Sequence, residues 1–149
     1  MYALFLTLHS LVRWVVVVLA VVVVVRALLG WRRSNPWTEL DNRLGLFFTI
    51  GLDVQVLLGV ILYLFLSPLV GVAFQDFGAA MRDSELRYWG VEHIALMIIA
   101  LVLAHAGRSI AKRASDAIEK HKRALIFYGL SVLIILLAIP WWRPLLRLG

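Results

Sequence analysis

Cysteine is absent from the 149 residues. Its absence excludes disulfides, thiolate metal ligands, iron–sulfur ligation and covalent haem attachment through a CxxCH motif. There is also no HExxH pair, no phosphate-cradling glycine loop and no nucleophile motif, so hydrolase chemistry has no support in the sequence. Acidic side chains are few, nine against 15 Lys and Arg. Proline is scarce as well, with four in the chain. Three of them, Pro36, Pro68 and Pro140, sit where long apolar runs stop.

Hydrophobic residues make up 62% of the chain, whereas an ordinary soluble domain is roughly half apolar. They fall in four runs, 3–29, 44–66, 88–107 and 124–142. Each has about the 20 mostly apolar residues that a membrane-crossing helix needs. The fold expected is all-α and integral to a membrane. Residues 1–149 form one domain, an antiparallel four-helix bundle with helices at 3–30, 39–66, 85–112 and 117–142. Nothing of useful size is left for a soluble domain. The first run has no basic residue ahead of it, is too long for a signal core and lacks a small-x-small cleavage site, so it reads as a retained helix.

The net charge of +6 does not point to nucleic acid, because of where it lies. Arg32, Arg33 and Arg43 flank one connection, and Arg108, Lys112, Arg113, Lys120, Lys122 and Arg123 crowd another. The opposite side carries Arg82, Arg87, Arg143 and Arg147. The positive-inside rule therefore puts loops 31–43 and 108–123 in the cytoplasm and both termini outside. Anionic lipid head groups are a sufficient partner for the basic clusters.

Local signals punctuate the helices. Ser34-Asn35-Pro36 breaks the first helix, and Thr38 to Asp41 reads as a capping box that opens the second. Arg26 reads as a snorkelling side chain and Trp31 as an interface anchor. The valine-rich run between Arg13 and Arg26 carries no polar group and is expected to face lipid or a neighbouring protein. Gly51, Gln55 and Gly59 recur every four residues, a spacing that lets another helix approach closely. The connection after Ser67-Pro68 has the weak amphipathic pattern of a short interfacial helix. Asp83 or Ser84 is placed to cap the third helix, Asp116 and Glu119 are spaced as another capping box, and Trp141-Trp142 suits an interface.

Ionisable groups inside a bilayer are costly and find partners or functions. At 1.5 Å of rise per residue, His9 on the first helix and His93 on the third lie at matching depth, roughly 6–9 Å inside the outer boundary. Arg13 and Asp53 lie somewhat deeper, and Glu92 is next to His93. His9, Arg13, Asp53, Gln55, Glu92 and His93 are thus candidates for one polar network in the outer half. It reads in three ways. The first is a structural ion-pair network tying helices together. The second is a b-type haem with His9 and His93 as axial ligands and Arg13 assisting, since a four-helix bundle can enclose the macrocycle. The third is a metal or proton site, since imidazole and carboxylate suit both. His105 has no histidine at its depth on another helix to share a second haem, because His121 belongs to a charged connection. It reads as a quinone-site group, a fifth ligand or a packed interfacial histidine.

The stretches HSLVRW (9–14), DNRLGLFF (41–48), LDVQVLLGVILY (52–63), RYWGVEH (87–93), LAHAGR (103–108) and IPWW (139–142) resemble small four-helix bacterial membrane proteins labelled cytochrome b-like. The resemblance covers most of the chain. It implies a multi-pass protein of the bacterial plasma (inner) membrane, an accessory subunit among other membrane subunits of a respiratory or photosynthetic electron-transport complex. The label implies haem. The function expected is electron transfer through one b-type haem bound in the outer half. A non-catalytic accessory subunit is the alternative, and metal or proton handling is third. A cofactor-free protein and a quinone partner both remain open.

Overall fold

A computed structural model of the protein describes residues 1–144. Arg147, counted above with the outer basic residues, lies outside the described residues. Among those described, the chain is all helical, with four helices long and apolar enough to cross a membrane: Tyr2–Arg32, Glu39–Leu66, Ser84–Lys112 and Ala117–Ala138. They are called here the first to fourth spans. The shortest has 22 residues, or about 33 Å at 1.5 Å per residue, against a hydrocarbon core of about 30 Å. A short helix, Pro68–Gln75, and a single turn, Phe77–Ala80, join the second span to the third.

Helix ends follow the local chemistry closely. Past Arg32 the chain turns through Ser34 at φ 53°, a left-handed conformation, just before Asn35-Pro36. The Asp41 carboxylate then accepts the Thr38 backbone N–H at 2.8 Å and the Thr38 hydroxyl at 2.7 Å, which ties off the start of the second span. It also accepts Arg26 Nε at 2.8 Å and is itself buried. Arg26 is therefore an interhelical partner of Asp41. The short return through Pro36 brings the next helix start back to the depth of Arg26. Asp83 caps the third span by accepting from the backbone N–H groups of Glu85 and Leu86, and Asp116 caps the fourth by accepting from that of Glu119.

The fourth span stops at Ala138, four residues short of the 142 expected from composition. Its C-terminal neighbour Ile139 is extended, with φ −75° and ψ 127°, as steric conflict with the following Pro140 ring requires. Two carbonyls near the helix end are left for other donors. Pro140 has no N–H to offer Leu136, whose oxygen accepts Trp141 Nε1 at 2.8 Å instead. The Ala138 oxygen is likewise free for side chains of the third span, with the consequence described below.

Consecutive spans run antiparallel. Each packs on its neighbours in sequence, and the first closes against the fourth. The core is built largely from small residues, with Ala20, Ala27, Ala100, Ala104 and Ala124 all sealed. On the fourth span His121, Ala124, Tyr128, Ser131, Ile135 and Ala138 are buried, alternating steps of three and four as an antiparallel bundle seam requires. The valine run of the first span divides by azimuth. Val16 and Val23 enter the core, while Val15, Val18, Val21 and Val25 stay exposed.

Gly107 shows how tightly the third and fourth spans meet. A methyl group there would stand 2.5 Å from Phe127 Cβ, an atom that moves only if the helix moves. Gly107→Val is expected to destabilise the bundle by about 1–3 kcal/mol through overpacking. Gly71→Ala, facing open space, is expected to change little. Thermal unfolding in detergent of the two variants side by side checks the difference.

Candidate functional site

A cavity of about 130 Å³ opens near the end of the bundle that carries Met1, between the first, second, third and fourth spans. The chain supplies polar atoms to it through two departures from regular helix. Residues Leu62–Leu66 and Tyr88–Glu92 are π-helical, with i→i+5 bonding. Such wide turns bring residues five apart onto one face and recur at functional sites. In the third span they align Arg87 with Glu92, whose side chains meet at 2.7 Å, and Tyr88 with His93, at 3.2 Å. The two π segments are joined by Tyr63, whose hydroxyl donates to the Gly90 oxygen at 2.6 Å.

His93 is oriented by the end of the fourth span. Its Nδ1–H donates to the Ala138 oxygen at 2.9 Å, and the Tyr88 hydroxyl donates to the same oxygen at 2.6 Å. A carbonyl has two lone pairs and accepts both. A backbone oxygen can only accept, so Nδ1 carries a proton, and in the neutral ring Nε2 keeps its lone pair. Among the described residues no protein group bonds that nitrogen. Imidazoles that ligate metals commonly have this arrangement, with one N–H fixed by a carbonyl and the other nitrogen open.

His9 stands across the cavity, its ring centroid 6.5 Å from that of His93, with the planes inclined at 69°. Gln55 of the second span holds it, its side-chain nitrogen 3.2 Å from His9 Nε2. Gly59, one turn beyond Gln55, leaves room for the ring: a methyl there would lie 3.3 Å from His9 Cε1. His9 Nδ1, Gln55 Oε1 and Trp89 Nε1 are buried with no hydrogen-bond partner. Buried polar atoms are nearly always paired, so three orphans beside one cavity mark it as a place for a polar or metal-bearing occupant. Arg13 lines the same cavity, bonded to Ser10 Oγ at 3.1 Å.

The structure does not bring the whole of the expected network together. Asp53 is not beside Arg13 or the two histidines. It pairs with His105, Oδ1 to Nε2 at 2.8 Å, on the outside of the bundle. That bond sets Asp53 level with His105, 12 residues along the third span from His93, and it faces away from Gln55, which is two residues on and about 200° around the helix. Glu92 is likewise taken by Arg87 through the π turn rather than by Arg13. His105, which seemed to lack a partner, has one in Asp53. Gln55 does join His9.

His121 is the residue most misplaced by composition. Charged neighbours suggest a polar connection, yet the side chain is buried at 2% exposure, packed on Gly30 and 4.9 Å ring to ring from Trp37. The signal was the three-and-four spacing from His121 through Ala138, which begins on this residue. Among the described residues no three His, Asp or Glu side chains gather into a metal-holding group. No family model, curated protein or solved structure matches the chain.

Tyr63→Phe is expected to leave the Gly90 oxygen without its donor and to cost about 1 kcal/mol. The loss should appear as a lowered thermal midpoint and as faster amide exchange confined to the two π segments.

Proposed function

We propose that the chain is an electron-transfer subunit of the bacterial plasma membrane that holds one b-type haem between His9 and His93. The observation that carries this reading is the facing of two imidazoles from different spans across one cavity, 6.5 Å between ring centroids. Two imidazoles sharing one metal through bonds of about 2 Å each would stand roughly 6 Å apart, centroid to centroid. The chemistry of the donors agrees. His93 offers Nε2 with Nδ1 already fixed to Ala138, and the unpartnered Nδ1 of His9 is a buried nitrogen in need of a ligand.

A haem held this way supplies reversible one-electron transfer. The protein's own part is to position the ligands and to surround them. Ala138 and Tyr88 fix the His93 ring, and Gln55 fixes the His9 ring. Leu52, Met97 and Ile135 give the cavity an apolar wall, while Arg13 and Arg143 give it positive charge. Arg143 is anchored by Glu85 and by the face of Trp89, 4.9 Å away. In this reading the basic connections 31–43 and 108–123 are cytoplasmic and the histidine site lies in the outer half.

A second reading has its own support. The exposed row Val15, Val18, Val21 and Val25 on the first span suits contact with another apolar helix, as in an accessory subunit of a larger electron-transport complex. The two readings are compatible, and a spectrum separates haem binding from packing alone. Protein purified after expression with ample haem should show low-spin b-type bands in a reduced-minus-oxidised spectrum. His9→Ala and His93→Ala should each abolish the bands while the helical content is kept. A folded, haem-free wild-type chain would overturn the haem reading and leave the accessory role.

A further inference from the structure

Asp53 and His105 present a problem that the histidine cavity does not solve. Their side chains are 47% and 49% exposed, on the outside of the bundle and within helices long and apolar enough to cross a membrane. Around them the surface is apolar. Ile50 and Leu57 lie one turn to either side of Asp53, Val102 lies one turn from His105, Ile98 lies one turn further on, and all are exposed. Lipid tails cannot hydrogen-bond. Polar side chains at this depth ordinarily face a bundle interior or another helix.

The internal bond between the two uses half of their capacity. His105 Nε2 and Asp53 Oδ1 satisfy each other. Asp53 Oδ2 and His105 Nδ1 have no protein partner among the described residues. One open acceptor beside one open imidazole nitrogen is a self-complementary pair. A two-fold axis along the membrane normal keeps every atom at its own depth, and the hydrogen bond proves that Asp53 and His105 share a depth. Such an axis beside the pair therefore sets the Asp53 of one copy opposite the His105 of the other, twice over. An isologous contact needs this kind of matching.

We infer that the face formed by the second and third spans around Asp53 and His105 is the contact between two copies of this chain, joined by reciprocal Asp53–His105 bonds across a two-fold axis. The second span of one copy lies against the third span of the other, with Ile50, Leu57, Ile98 and Val102 packed around the polar centre. The face is distinct from the valine row of the first span, so the dimer leaves that row free for a further subunit. It does not depend on haem, whose cavity opens elsewhere.

The absence of cysteine makes the test clean. In lipid vesicles, chains carrying Val102→Cys mixed with chains carrying Leu57→Cys, which the axis sets opposite each other at one depth, are expected to form an intermolecular disulfide on mild oxidation, giving a band at twice the chain mass. Val18→Cys, equally exposed but on the first span, is expected to stay monomeric under the same conditions. Adding Asp53→Leu with His105→Leu should abolish the Val102 cross-link and raise the dimer dissociation constant by about tenfold or more. The exchanged variant, Asp53→His with His105→Asp, should retain the dimer because the pairing is preserved. Circular dichroism confirms that each variant is folded. A wild-type chain that is monomeric in lipid, equal cross-linking at Val18 and Val102, or a Val102 cross-link indifferent to the paired leucines would each overturn the proposal.

Discussion

Polar groups at the depth of a long apolar helix have no water to turn to, so each must find a partner in the protein. That constraint organises this structure from its helix ends inward. Pro140 cannot continue the fourth span, so the Ala138 carbonyl is released, and His93 and Tyr88 of the third span take it up. Trp141 takes up the Leu136 carbonyl for the same reason. Asp41 closes the start of the second span and neutralises Arg26 of the first in a single carboxylate. Termini that look like local punctuation are thus also the joints between helices.

The second constraint is closeness. Many core positions are alanine or glycine, and the helices approach until side chains of one touch the backbone of the next. Gly30 makes room for the buried His121 ring, and Gly45 for the Tyr128 hydroxyl. Ser131 bonds the Ala100 oxygen at 2.8 Å in a fully sealed position. Small residues in one helix therefore decide where large ones in another can lie. The cavity between His9 and His93 opens at the end of the bundle where the π turns widen the second and third spans.

Within the polar set, azimuth sorts the residues into two groups. Gln55 and Asp53 are separated by one residue in sequence, yet one holds His9 inside the bundle and the other meets His105 outside. The second span is in this sense two-faced. Its inner polar group supports the proposed haem ligands, and its outer one supports the proposed contact with a second copy. Neither needs the other, so the two roles are separable by mutation.

The number, length and class of the helices were legible in the sequence, since apolar run length and helix-breaking prolines report directly on them. So were the capping residues and the matched depth of His9 and His93, because rise along a helix is linear in residue number. Rotation about the helix axis was harder to read. It sent Asp53 to His105 rather than to Arg13, and drew His121 into the core although its neighbours are charged. The π turns, which no composition announces, shifted the faces again and gave Glu92 to Arg87. Sequence by itself determined how many spans there are and about where each begins and ends. Tertiary packing decided which way it faces, because that depends on every helix fitting its neighbours at once.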